Sequence, residues 1–187
     1  MIPALAGNLL LAAVPSLLLL AVFYRREKRL HDVPGLVFRV FGAGCLSLVP
    51  AFLAGYASRG LAAGLPAGWR TVWLAFVTAG LVEESAKYLT VRLTTARRPE
   101  LAGPLDGVVY TVSAGLGFAF FENVFFIGET PLVLLRALTA VPLHAASAAV
   151  LGWFIGRARA NPGSSALPGL TAATLLHGTY DLLLMPS

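Results

Sequence analysis

Charge is scarce in this chain. Of 187 residues, 14 are Lys or Arg and 9 are Asp or Glu, 12% in all, about half the share that soluble domains carry. Together with 57% hydrophobic residues and a mean hydropathy of +0.77, this scarcity excludes a soluble globular domain. What is left is a membrane protein, too short for a separate soluble domain beside its helices. Cysteine is rarer still. Cys45 stands alone, so there is no intramolecular disulfide and no zinc ribbon, and its apolar surroundings mark it as a small buried side chain. No basic residue precedes the first apolar run, Ile2 to Tyr24, whereas Arg25, Arg26, Lys28 and Arg29 come after it. A cleavable signal peptide has the opposite order, so a retained first helix with its N-terminus outside is expected. The pI near 9.9 arises from short basic clusters between apolar runs. That is the signature of membrane topology, and it argues against a nucleic-acid partner.

The apolar sequence itself falls into windows near 2–24, 36–57, 69–92, 106–128, 131–156 and 166–185, each about long enough to span a bilayer as a helix. Breakers lie between them: Pro34-Gly35, Gly64 to Gly68, Pro99 to Pro104, Pro131, and Asn161 to Ser165. With the N-terminus outside, Arg25, Arg26, Lys28, Arg29, Arg39, Arg92, Arg97, Arg98, Arg157 and Arg159 fall on the cytoplasmic side. Only Arg59, Arg70 and Arg136 fall outside. This positive-inside bias fits six spans better than five or seven. The expected fold is therefore all-α: a polytopic bundle of about six transmembrane helices in the cell membrane, with both termini outside. It forms a single domain over 1–187, with two structural helices in 1–57 and four helices carrying a polar site in 69–185. Tyr56, Trp69 and Trp73 suit an interfacial belt or core packing, His31 a solvated loop. The small pairs Gly42 with Gly44 and Gly115 with Gly117 should let helices approach closely.

The first two spans lack acidic residues and histidine in their interiors, but the last four do not. The third holds Glu83, Glu84 and Lys87, the fourth Glu122, the fifth His144, and the last His177 and Asp181. A charge at the centre of a membrane helix costs roughly 2.5–3.5 kcal/mol even on the mildest scale, so this set marks a built polar site. Lys87 lies four residues after Glu83 and three after Glu84, within reach of either carboxylate. Adjacent glutamates project about 100° apart, which leaves one carboxylate neutralised by Lys87 and the other facing a cavity as a base. A buried structural ion pair explains only one of the two. Glu122, beside Asn123 and wrapped in phenylalanines, has no cation within a turn. It needs a metal or a cation from another helix, or else a proton and a helix–helix hydrogen bond. Pro142 should kink the fifth span and free a carbonyl, close to His144 and, three residues on, Ser147. His177 and Asp181 share a face at i and i+4, where Asp181 can orient the imidazole or pair with it structurally. By rise per residue, Glu83, His144 and His177 come near the midplane. Glu122 comes out nearer the outer end unless the fourth helix starts late, around Tyr110.

Two non-proteolytic readings compete. A proton- or ion-coupled transporter also uses intramembrane Glu, His and Asp, but such folds show matching halves, and no internal repeat is evident here. A non-catalytic partner-binding or immunity-type protein would be expected to have lost some of the polar residues.

In this order the residues resemble the PrsW family of intramembrane proteases, distant relatives of the CAAX prenyl endopeptidase/Abi family. The EExxK motif of that family matches Glu83-Glu84-Ser85-Ala86-Lys87, and its Phe-Glu-Asn matches Phe121-Glu122-Asn123. Pro104-Leu105-Asp106-Gly107 is in the family's style, Gly152 stands eight residues after His144, and His-xxx-Asp matches His177 and Asp181. The resemblance covers about 70–185. Phe126 stands where the family often has tyrosine, so no phenol acts there. The resemblance implies an endopeptidase that hydrolyses a membrane-protein or membrane-anchored peptide substrate in the lipid bilayer, an anti-sigma factor or a similar regulator. It implies Glu83 as general base, with Glu84 the alternative and Lys87 holding whichever carboxylate does not face water. Glu122, His144 and His177 would hold a divalent metal, zinc by the mixed nitrogen and oxygen donors, with Asp181 orienting His177 and Asn123 donating to the oxyanion. A metal-free version, in which Glu83 activates water directly, stays open.

Overall fold

The computed structural model describes residues 2–30, 34–126 and 130–185, and every regular element among them is helical. In chain order these are α1 (Ile2–Leu30), α2 (Pro34–Ala62), α3 (Ala67–Trp73), a π-helical segment (Leu74–Leu81), α4 (Val82–Thr95), α5 (Pro104–Val124), α6 (Thr130–Leu138), α7 (Ala140–Ala160) and α8 (Leu167–Leu184). α3, the π segment and α4 form one rod, because Leu74 and Val82 at the junctions keep right-handed helical backbone angles. His31, and the 127–128 end of the fourth expected span, lie outside the described residues.

The protein is an all-α polytopic membrane protein. Four stretches are long and apolar enough to cross a membrane: within α1, α2, α5 and the α6–α7 pair. The expected spans at 69–92 and 166–185 are helical too, but less apolar. The first is divided by the π segment and carries Glu83, Glu84, Lys87 and Arg92. The second carries His177 and Asp181. The residues that make the site polar are thus the ones that depress the hydropathy of the helices bearing them. Outward faces are apolar, with Tyr56, Leu93 and Leu183 each more than 75% exposed, as lipid contact requires. Trp69 is also exposed, whereas Trp73 turns inward and donates its indole N–H to the Ser58 hydroxyl at 3.0 Å.

α5 is the central helix, with Tyr110, Val112, Leu116 and Phe118 fully buried. It begins at Pro104 rather than near Tyr110. The Asp106 carboxylate accepts from the backbone N–H groups of Ala102 (3.0 Å) and Gly103 (2.8 Å), satisfying donors ahead of the first turn. Pro104, with no N–H to satisfy, fits that first turn. α5 packs on α7 backbone to backbone: a Cβ at Gly107 would strike the Gly152 carbonyl, and one at Gly156 the Gly103 carbonyl. Gly115 lies close to both Ala148 and the His144 carbonyl. On the other side, Gly117 meets the Phe41 carbonyl of α2, and Gly44 meets that of Ala114. Small residues permit such contacts between membrane helices. Gly42 departs from the expectation, because nothing lies within 4 Å of where its Cβ would be.

The expected kink near Pro142 is displaced toward the N-terminus. The helix breaks at Thr139 (φ −122°, ψ −56°), next to Leu138, whose carbonyl Pro142 cannot serve and would crowd. Pro142 then sits harmlessly in the first turn of α7. The Thr139 hydroxyl and the Tyr180 hydroxyl, 2.7 Å apart, tie this break to α8.

Candidate active site

Four elements deliver the polar residues to one place: the first turn of α4, the last turn of α5, the second turn of α7 and the middle of α8. Glycine is again the reason they can meet. A Cβ at Gly80 would come within 2.8 Å of the Thr174 carbonyl, and one at Gly178 would run into the Phe76 ring. The π segment therefore lies flat on α8 beside His177. Its wider turns also rotate α4 from the orientation that a plain α-helix would impose, and π-helical insertions recur at functional sites.

Glu84 is the hub. Its Oε1 accepts from Lys87 Nζ (2.7 Å), Ser147 Oγ (2.9 Å) and His177 Nδ1 (2.8 Å), and both Glu84 and Lys87 are fully buried. Lys87 Nζ also donates to His144 Nδ1 at 2.7 Å. An ammonium can only donate, so His144 Nδ1 is an acceptor and the ring proton sits on Nε2. That Nε2 donates to Glu122 Oε2 at 3.0 Å. By the same logic a carboxylate only accepts, so His177 carries its proton on Nδ1 toward Glu84. Its Nε2 faces Glu83 Oε2 at 3.6 Å and Asp181 Oδ2 at 3.4 Å. The two imidazoles meet edge to face, 5.0 Å between centroids.

The adjacent glutamates differ sharply. Glu84 is neutralised by a buried cation, the better-paired arrangement for a desolvated carboxylate. Among the described residues the one potential cation within 4 Å of Glu83 is His177, with Nε2 3.6 Å from Oε2, and the buried Oε2 atoms of Glu83 and Glu84 both lack a hydrogen-bond partner. Such an atom costs free energy unless something fills the space. Glu83, His144 and His177 each offer one ligand atom, and these atoms lie within 4.8 Å of one another. Zinc ligands at bond lengths of about 2.0–2.2 Å stand roughly 3.5 Å apart around a tetrahedron, so modest side-chain movement would bring this mixed N/O set onto an ion. The residues present fit a divalent metal.

All the residues singled out from the sequence gather here: Glu83, Glu84, Lys87, Glu122, His144, His177 and Asp181 directly, Asn123 at the edge. On His177, Nδ1 goes to Glu84, and Asp181 approaches the other nitrogen. The cation that Glu122 lacked locally comes from α6, where Arg136 Nη2 donates to Glu122 Oε2 at 2.7 Å. Arg136 had counted only as an outer-side charge. The want of a partner for Glu122 was the signal that could have found it. Ser147 was visible three residues after His144, but its bond to Glu84 spans 63 residues of chain and had no local signature. The depth of Glu122 is explained by helix ends. Glu122 lies two residues from the last residue of α5, and His144 four after the first of α7, so the site sits where α5 ends and α7 begins.

A buried cluster of carboxylates and imidazoles in a membrane protein narrows the class, and the relatives of this chain show that class to be intramembrane protease. The chain belongs to the PrsW family: residues 33–187 match the family described as PrsW family intramembrane metalloprotease. It is 28% identical over 176 residues to Protease PrsW of Bacillus subtilis (strain 168), covering 91% of this chain and 79% of that one. It is 31% identical over 183 residues to Protease PrsW of Geobacillus kaustophilus, covering 91% and 76%. To that of Halalkalibacterium halodurans it is 30% identical over 184 residues, covering 95% and 84%. No solved structure matches the chain.

Proposed function

We propose that this protease cleaves a membrane-protein segment or membrane-anchored peptide, an anti-sigma factor or similar regulator being the expected kind, with Glu83 as general base. The observation that carries this reading is the contrast between Glu84, fully buried with Oε1 held by three donors including the Lys87 ammonium, and Glu83, which is 19% exposed and has no lysine or arginine paired with it among the described residues. Glu83 takes a proton from water, and the hydroxide oxygen bonds to the scissile carbonyl carbon. The proton then passes from Glu83 to the leaving amine as the C–N bond breaks. Lys87 and Glu84 do not exchange protons in this scheme; they hold His144 and His177 in fixed tautomers. Asn123 donates through Nδ2 to the oxygen that becomes negative.

His144 and His177 are proposed to hold a divalent ion, zinc by its tolerance of mixed N/O donors, with Glu122 as third ligand. The carboxylate whose ligand atom already lies within 4.8 Å of both imidazoles is Glu83, which as base would stand beside that ion, and Asp181 lies close to His177 Nε2. When bound, such an ion supplies a Lewis acid.

In this reading the protein sits in the plasma membrane with both termini outside. The pairing of Arg136 with Glu122 inside the bundle supports that orientation, since it removes one of only three outer-side charges from the count.

The experiment is Glu83→Gln in the full chain. Cleavage should fall by about 10²–10⁴-fold while the yield of folded protein and its melting temperature stay at wild-type values. Metal content of wild type should be about one zinc per chain, lost in His144→Ala and His177→Ala. Retained cleavage in Glu83→Gln would remove Glu83 from the mechanism. A zinc-free but active wild type would favour direct activation of water by Glu83.

A further inference from the structure

Arg136 lies outside the four polar motifs, yet it makes the most directional contact at the site. Its planar guanidinium spans two consecutive residues at the end of α5: Nη2 donates to Glu122 Oε2 at 2.7 Å, and Nε donates to Asn123 Oδ1 at 2.9 Å. The guanidinium carbon also stacks 4.3 Å from the centroid of the Phe126 ring. Arginine offers only donors, so the Asn123 atom facing it must be the oxygen. The amide is thereby oriented, and its Nδ2 is left buried with no partner among the described residues. An unpaired buried donor is costly, and here it sits one residue from Glu122, in a site whose reaction creates a negative oxygen. Arg136 itself is held from behind: α6 packs on α1 and α7 and ends two residues later at Leu138.

We infer that Arg136 is a positioning residue for peptide hydrolysis, locking the Asn123 amide so that Nδ2 meets the substrate carbonyl and steadying Glu122 against His144. This rests on the proteolytic reading above. It assigns α6 a role in the chemistry, where the sequence shows only an outer-side charge. Lysine at 136 could keep a charge near Glu122, but a point ammonium cannot reproduce the fork that also fixes Asn123.

The test uses the full chain in liposomes with a dye-quenched single-span peptide, taken from a pool for its cleavage by wild type. Arg136→Lys, Asn123→Ala and the double variant are compared, with Glu83→Gln alongside. Asn123→Ala should lower kcat about 10²-fold, and Arg136→Lys should lower it by a large part of that factor, both with KM within about twofold of wild type. The double variant should be no slower than Asn123→Ala by more than about twofold, the non-additivity of residues acting as a unit. Zinc content and melting temperature of Arg136→Lys should match wild type. Multiplicative losses in the double variant, full activity in Arg136→Lys, or a loss that tracks its melting temperature would overturn the inference. Activity retained in Glu83→Gln would instead overturn the role of Glu83, while leaving the Arg136–Asn123 coupling readable in the same kcat values.

Discussion

The two ends of α5 are built on opposite principles. From Gly103 to Gly117 the helix is dry and touches α7 and α2 backbone to backbone, with glycines where any side chain would collide. After Phe118, Phe120 and Phe121 it reaches Glu122 and Asn123, whose contacts are hydrogen bonds and ion pairs to α6 and α7. The first half adds buried side chains such as Tyr110, Val112 and Leu116 to its glycine contacts and fixes distance. Each half holds one buried polar atom with no hydrogen-bond partner among the described residues, Thr111 Oγ1 in the first and Asn123 Nδ2 in the second, but only Asn123 stands next to the ion-paired Glu122. In a membrane this division is sharper than in water, because apolar burial against lipid supplies little driving force and close packing must replace it.

Substitutions at the two ends should fail in different ways. The largest loss of stability is expected from Lys87→Met, which strands the fully buried Glu84 carboxylate. About 3–5 kcal/mol is the usual cost of breaking a buried pair on one side, and it would be read as a large drop in melting temperature in detergent. If Lys87→Met melts with wild type, the pair at the Glu84 hub does not stabilise the bundle. Next comes Gly107→Ala at the dry end. A methyl group there meets the Gly152 carbonyl and the Gly156 backbone, so overpacking should cost about 1–3 kcal/mol. Whatever activity remains per folded molecule should be close to normal. Selective loss of cleavage at full stability would mean that the dry end tunes chemistry directly.

Smaller effects sharpen the contrast. Ser147→Ala removes one of three donors to Glu84 and should cost about 1 kcal/mol, with catalysis slowed only as far as His177 shifts. Smallest is Gly42→Ala, where open space awaits the methyl group, and stability should move by less than about 0.5 kcal/mol. Gly44→Ala, two residues on, would meet the Ala114 carbonyl and should be visibly worse. Equal effects at 42 and 44 would dissolve the account of the α2–α5 contact.

Much of the fold and site was legible in the chain itself. Apolar windows located the helices because lipid demands about twenty apolar residues per crossing. Intramembrane charges located the site because they are too expensive to be incidental. The helix ends were less legible: α1 runs to Leu30 and α2 from Pro34 to Ala62, beyond the apolar windows, because helical hydrogen bonding does not stop where hydropathy does. The break at Thr139 was foreseen in kind but not in place, since proline disturbs the carbonyl four residues before it rather than its own position.

Sequence alone determined the membrane class, the helical spans and the identity of the polar residues, because each rests on composition or on neighbours within a turn. Tertiary structure alone decided which glutamate Lys87 neutralises, that Glu84 rather than Asp181 takes His177 Nδ1, and that Arg136 reaches Glu122 and Asn123. Those choices depend on how a π segment rotates α4 and how glycines set the depth at which α4, α5, α7 and α8 meet. Contacts between residues far apart in the chain carry no local periodicity, so only the packed bundle could show them.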